Sequence, residues 1–144
     1  MENKDTIYLL KECDAGTKMA VASFDEVLDK TNDSEMKQLM RESKNHHEEL
    51  GNEIHELLIS YHSDEKEPNP MAKSMSWLKT NMKLTMNESD STIADLITDG
   101  CNMGVKSLNK YLNKYPAADS KVKNICKNLI NIEEKLGKDL RKYL

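Results

Sequence analysis

The sequence predicts an all-α fold: a four-helix bundle made of two similar helical hairpins joined by a long central crossover. Three observations predict it. Apolar residues recur at alternating spacings of four and three, the rhythm that keeps one face of a helix turned toward its neighbours. Residues of strands and tight turns are sparse, with one Phe, one Trp, five glycines and three prolines in 144 residues. The second half of the chain repeats features of the first. With 38% hydrophobic and 32% charged residues, the composition is that of long helices whose outer faces are solvated. The length suits one domain, 1–144, comprising a hairpin at 5–62, a crossover at 63–90 and a hairpin at 91–144.

The boundaries follow from residues that helices do not tolerate or that cap them. Pro68-Asn69-Pro70 and Pro116 interrupt the helical pattern. Asn32-Asp33-Ser34-Glu35 is a further boundary, with Asn32 and Glu35 spaced as a capping box. Ser89-Asp90-Ser91-Thr92 is rich in N-cap residues. These signals place helices near 5–30, 33–62, 91–114 and 118–143, with a shorter helix near 71–86 in the crossover.

The expected core stripes are regular. The second helix gives Met36, Met40, Ser43, His47, Leu50, Ile54, Leu57 and Tyr61, and the fourth gives Val122, Cys126, Leu129, Glu133, Leu136, Leu140 and Tyr143. Leu10, Thr17, Val21, Phe24 and Leu28 serve the first helix, and Ile93, Ile97, Gly104, Leu108 and Tyr111 the third.

An internal repeat runs through these helices. A shift of 86 aligns Asp33, Ser34, Lys37, Asn45, Glu48, Leu50, Gly51 and Leu58 with Asp119, Ser120, Lys123, Asn131, Glu134, Leu136, Gly137 and Leu144. A shift of 88 aligns Cys13, Gly16 and Lys18 with Cys101, Gly104 and Lys106. Glycine inside a helix costs about 1 kcal/mol against alanine, so the paired glycines point to close approaches at equivalent places in both hairpins. The repeat implies an approximate two-fold between the hairpins and allows Cys13 to face Cys101.

Composition excludes several function classes. A net charge of −4 argues against a nucleic-acid partner. The start Met1-Glu2-Asn3-Lys4-Asp5 lacks the basic, then apolar, pattern of a signal peptide, and no apolar run reaches the roughly 18 residues of a membrane span. The three cysteines, Cys13, Cys101 and Cys126, are far apart and form no C-x-x-C, which suits free thiols in a reducing cytoplasm. No P-loop, Rossmann glycine run or nucleophile elbow occurs, so no cofactor is expected.

The stretch from Trp77-Leu78-Lys79 through Ile97-Thr98-Asp99-Gly100-Cys101-Asn102-Met103-Gly104-Val105-Lys106 to Tyr111-Leu112, within a duplicated hairpin, resembles the small bacterial ferritin-like four-helix domains of unknown function. The resemblance implies a fold of the ferritin-like superfamily. In active members of that superfamily each hairpin supplies a Glu and a Glu-x-x-His to a di-metal site, the spacing placing both ligands on one helix face. This chain departs from that pattern. The residues three before its histidines are Ser43, Lys44, Asn52 and Ile59. His46, His47, His55 and His62 all lie in the second helix, and the inward position of the first carries Asp14, with Asn102 as its repeat partner. A working di-iron centre is therefore not expected.

His47, Glu133 and Asp14 remain the candidate site. His47 and Glu133 fall on facing seams, and Asp14 is placed to join them. Three arrangements are open: a mononuclear site for Zn, Fe or Mn, a buried hydrogen-bonded pair, or two side chains at the edge of the seam. Glu42 and His46 are spaced for a surface pair, and His55 and His62 are expected in solvent. In the crossover, Met71, Met75, Leu78, Met82 and Met86 form one stripe with Trp77 nearby, flanked by Lys73, Lys79 and Lys83. Such a face suits packing on the bundle, a protein partner or an anionic membrane surface. Gly100 and Gly104 form a G-x-x-x-G step that reads as close helix packing. Charge is uneven: 33–65 carries nine acids and three bases, a net −6, and 121–142 carries seven bases and three acids, a net +4. This steers the second helix beside the fourth, or one subunit onto another, or leaves two solvated faces. The expected function is that of a non-catalytic bundle acting through protein contacts, as a homodimer. The alternative is a metal or redox protein using His47, Glu133 and Asp14, and a third reading is attachment to a membrane surface through 71–86.

Overall fold

A computed structural model describes residues 3–61 and 89–144. They form helices α1 (Lys4–Leu28), α2 (Ser34–Ser60), α3 (Asp90–Lys114) and α4 (Ser120–Asp139), the last closed by a 3-10 turn at Leu140–Tyr143. No strand occurs among the described residues, and the architecture is an all-α four-helix bundle. The expected helix at 71–86, its residues Met71, Met75, Trp77, Leu78, Met82 and Met86, and His62 lie outside the described residues.

Side chains set the helix starts. Asn3 Oδ1 accepts the Thr6 N–H of α1 at 2.8 Å, and Ser89 Oγ accepts the Thr92 N–H of α3 at 3.2 Å. The expected capping box at Asn32 is displaced by one residue. Asp33 is the cap of α2, accepting the Met36 N–H at 2.8 Å. That bond, first among several causes, holds the Asp33 carboxyl below its ordinary range. Asn32 is otherwise engaged: its N–H and that of Asp33 donate to the Asp90 carboxylate at 2.8 and 2.9 Å. Pro116 separates α3 from α4, as its missing N–H requires.

Each hairpin is tied to the turn of the other. Asp90, opening the second hairpin, holds the α1–α2 turn. At the opposite end Asn3 Nδ2 donates to Ala117 O at 2.8 Å, Ala117 N–H to Asp5 Oδ2 at 2.9 Å, and Asp119 N–H to Thr6 Oγ1 at 2.9 Å. The start of α1 therefore lies beside the end of α3, and the two helices are antiparallel. Helix α2 ends at one end of the bundle and α3 begins at the other. Helices α1 and α2 pack together, as do α3 and α4; α2 lies beside α4, α1 beside α3, and α1 also reaches α4.

The core is in two parts. One apolar cluster, at the α1–α2 turn, includes Phe24, Val27, Met36, Met40, Ile93, Ile97, Leu136 and Leu140. The other, at the far end, includes Leu9, Leu10, Cys13, Ile54, Leu58, Leu108, Val122 and Cys126. Between the two clusters each helix turns a polar or small residue inward: Asp14 and Thr17 on α1, Ser43 and His47 on α2, Gly104 on α3 and Glu133 on α4. The bundle has a polar waist.

The expected stripes hold through most of each helix and drift at the ends. On α2, Leu58 is buried where the stripe places Leu57, which is half-buried like Leu50 and Tyr61. A 3.5-residue count slips against a 3.6-residue helix over several turns. On α1 the stripe residues Val21 and Leu28 are half-buried, while Leu9, Cys13 and Val27 are fully buried. No helix of the described residues is long and apolar enough to cross a membrane.

Candidate functional site

The waist brings His47 and Glu133 together. The His47 ring is 1% exposed and lies against Phe24, with ring centroids 5.6 Å apart. His47 Nδ1 is 2.7 Å from Ser43 O, an acceptor, so Nδ1 carries the proton and Nε2 is left facing Glu133 Oε1 at 3.7 Å. That distance is in ion-pair range and too long for a hydrogen bond. His47 Nε2 and Glu133 Oε2 are both buried without a hydrogen-bond partner.

Glu133 sits where it does because Gly104 has no side chain. A Cβ on Gly104 would lie 2.2 Å from Glu133 Oε2. The glycines are thus not equivalent as the repeat suggests. Gly104 is approached by a carboxylate and Gly51 by Thr17 Cγ2 at 3.1 Å, whereas Gly16 and Gly100 have nothing within 4 Å. Of the G-x-x-x-G step, Gly104 admits one long side chain reaching across, while Gly100 faces open space.

Asp14 does not join the pair. It is 3% exposed, and its carboxylate pairs with Lys18 Nζ at 3.1 Å. It lines an open groove of about 550 Å³ between α1 and α2, with Thr17, Asp25, Glu48, Gly51 and His55. Lys44 spans this groove's acids, pairing with Asp25 and lying 3.9 Å from Glu48. No group of three or more His, Cys, Asp or Glu placed to hold a metal ion occurs among the described residues. The six-ligand, dinuclear set of the ferritin-like superfamily therefore does not fit the residues described. The expected Glu42–His46 pair is replaced by a bond from Gln38 Nε2 to Glu42 Oε1 at 3.0 Å.

The cysteines pair differently from the repeat. Cys13 lies against Cys126, not Cys101, and Cys126 Sγ donates to Leu108 O at 3.7 Å. Because α1 and α3 are antiparallel, residues equivalent in the repeat fall in opposite halves of the bundle: Cys13 belongs to one apolar cluster and Cys101 to the other. Contact between the two thiols, ahead of burial, raises that of Cys13 and lowers that of Cys126. Burial, then the Glu133 carboxylate, pushes Cys101 up to about 12.

The outer face of α2 and α4 carries a second feature, visible in sequence only as a charge imbalance. Glu35, Gln38, Glu42, Asn45, Glu49, Asn52 and Glu56 recur at spacings of three and four on α2, and all are exposed. Lys121, Asn124, Asn128, Asn131, Lys135 and Lys138 on the neighbouring α4, with Lys142 in its closing 3-10 turn, do the same, all exposed. The first stripe holds acids and amides without a base, the second bases and amides without an acid. They run antiparallel and in register, as the Lys142–Glu35 ion pair fixes. A hydrogen bond to Glu35, first among its causes, raises the Lys142 ammonium. Lys135 is raised by Asp139 first, with the Glu42 charge contributing. The 4–3 count that finds the core finds these stripes too, when applied to polar residues.

No protein-family model, no curated protein and no solved structure matches this chain.

Proposed function

We propose that the chain is a ferritin-like bundle that works through contact with other protein surfaces, and that the outer face of α2 and α4 is the contact surface. The observation that carries this reading is the pair of adjacent stripes, each of one sign and each seven positions long. Ordinary solvated helices interleave charges of both signs, whereas segregated charge steers and registers a partner. The buried polar groups suit a structural role: His47 is sealed from solvent and Asp14 is held by Lys18. Carbodiimide cross-linking in the native cell tests the reading, since it joins a carboxylate directly to an amine in contact. Intermolecular links concentrated on Lys121, Lys135, Lys138 and Lys142, and on Glu42, Glu49 and Glu56, are expected. Links spread evenly over all exposed lysines and acids would refute it.

A second reading is a single divalent cation, Zn, Fe or Mn, held by His47 and Glu133 without Asp14. His47 Nε2 and Glu133 Oε2, two of the seven buried side-chain atoms without a hydrogen-bond partner among the described residues, favour it, as does the Ser43 carbonyl on the far ring nitrogen, which orients an imidazole toward a ligand. Metal analysis of protein purified without chelators, with thermal shifts in each metal, decides it. Absence of both stoichiometric metal and any shift ends this reading.

A further inference from the structure

We propose that the partner of the α2–α4 face is a second copy of this chain, paired about a two-fold axis parallel to the helices, so that α2 of each copy lies on α4 of the other. The inference rests on reading that face as a contact surface and adds the identity of the partner and the geometry.

The geometry follows from the register. Glu35 is paired with Lys142, and both helices rise about 1.5 Å per residue in opposite directions. Glu42 then stands level with Lys135, Glu49 with Asn128 and Glu56 with Lys121. Two copies can meet face to face about a two-fold across the helices or along them. The first lays α2 on α2 and α4 on α4, acid on acid and base on base. The second exchanges left and right while keeping height, so every acidic level of one copy meets the basic or amide level of the other. Glu42 of one copy meets Lys135 of the second, Glu56 meets Lys121, and Glu49 meets Asn128, in both directions. The amides Gln38, Asn45, Asn52, Asn124 and Asn131 donate and accept in between. No other protein surface is required to supply this match, because the face is complementary to itself only under that one operation.

The same composition sets the strength. The stripes contain no large apolar side chain to anchor an interface centre. Two helices roughly 30 Å long and about 10 Å apart give a face of some 600 Å² per copy, near the lower bound for a specific complex. The pair is dissociable and its strength falls with salt.

Sedimentation velocity on the full chain tests this. The wild type is expected to dimerise at about 50 mM salt and to weaken at least tenfold at about 500 mM. Charge reversal gives the decisive arm. E42K/E49K/E56K leaves Glu35 as the one acid of an otherwise basic face, and K121E/K135E/K142E leaves Lys138 as the one base of an otherwise acidic face; each alone is monomeric, and an equimolar mixture restores a heterodimer. The neutralised E42Q/E49Q/E56Q, which introduces no repulsion within the bundle, is at least tenfold weaker than wild type. Circular dichroism confirms that each variant is helical. A wild type that stays monomeric at low salt, reversed variants that self-associate like wild type, or a mixture that fails to associate would overturn the proposal. Intermolecular carbodiimide links from this face to other proteins only, with a monomeric wild type, would overturn the second copy and leave the contact reading standing.

Discussion

Gly104 and Glu133 act as one unit, each shaped by the other. Adding a methyl group at Gly104 places it 2.2 Å from Glu133 Oε2, so in Gly104→Ala the carboxylate must leave its seat beside His47. Overpacking of this kind costs about 1–3 kcal/mol, and the roughly 1 kcal/mol that alanine gains over glycine in a helix offsets part of it, so a net loss of about 0–2 kcal/mol is expected from urea unfolding. Removing the obstacle in the double variant G104A/E133A recovers most of that loss, so the two substitutions are strongly non-additive. Cys101, one turn along α3, has its acidity weakened first by its own burial and then by the same carboxylate. Its thiol ionises near 12 when folded and near 9 when unfolded. The unfolded chain therefore gives up that proton first, and the contribution present below pH 9 is lost as pH rises toward 12. The melting temperature is expected to fall through that window, and Cys101→Ala to flatten part of the fall. In the sequence, Gly104 stands out as a glycine inside a helix and Glu133 as an acid on a core seam. Their contact is not legible there, because a long side chain chooses its seat after the backbones are placed.

At the scale of elements, helix ends carry more than their own caps. The Asp90 carboxylate lies at the first residue of α3 yet receives two N–H groups from the α1–α2 turn, at 2.8 and 2.9 Å. Asp90→Ala leaves both donors to water and loosens the joint between hairpins. A loss of about 1–2 kcal/mol is expected, with Asp90→Asn losing less, because one acceptor oxygen remains. Asn3→Ala removes both a cap and the bond to Ala117, for about 1 kcal/mol; denaturant midpoints check both. Helix starts at Asn32–Glu35 and Ser89–Thr92 are readable from residue type. The partner of Asp90 is not, since N-cap chemistry is local in sequence while this bond spans |i−j| of 58. The error of one residue at Asn32 has the same origin: a distant carboxylate took the group that a local cap would have used.

For the molecule as a whole, the bundle, its hairpins and the meeting of α2 with α4 were legible because periodicity and charge act over many residues and tolerate local error. The pairing of Cys13 with Cys126 was not, because repeat equivalence carries no information on which half of an antiparallel pair a residue occupies. The waist is the consequence that matters most for stability. It divides the core into two apolar clusters and places a buried imidazole and carboxylate between them, 3.7 Å apart and short of a hydrogen bond. Burying such a pair costs desolvation that its mutual attraction rarely recovers, so replacing both members with apolar side chains of similar volume is commonly stabilising by about 1–4 kcal/mol. The double variant H47F/E133M should therefore unfold at higher denaturant than wild type, by about 1–3 kcal/mol, with the two clusters fused into one. His47→Phe alone should be less stable than wild type, because it leaves the Glu133 carboxylate beside an apolar ring. If the double variant is the less stable one, the imidazole–carboxylate pair itself joins the two halves of the bundle, and the waist is a structural clasp and not a cost carried for binding.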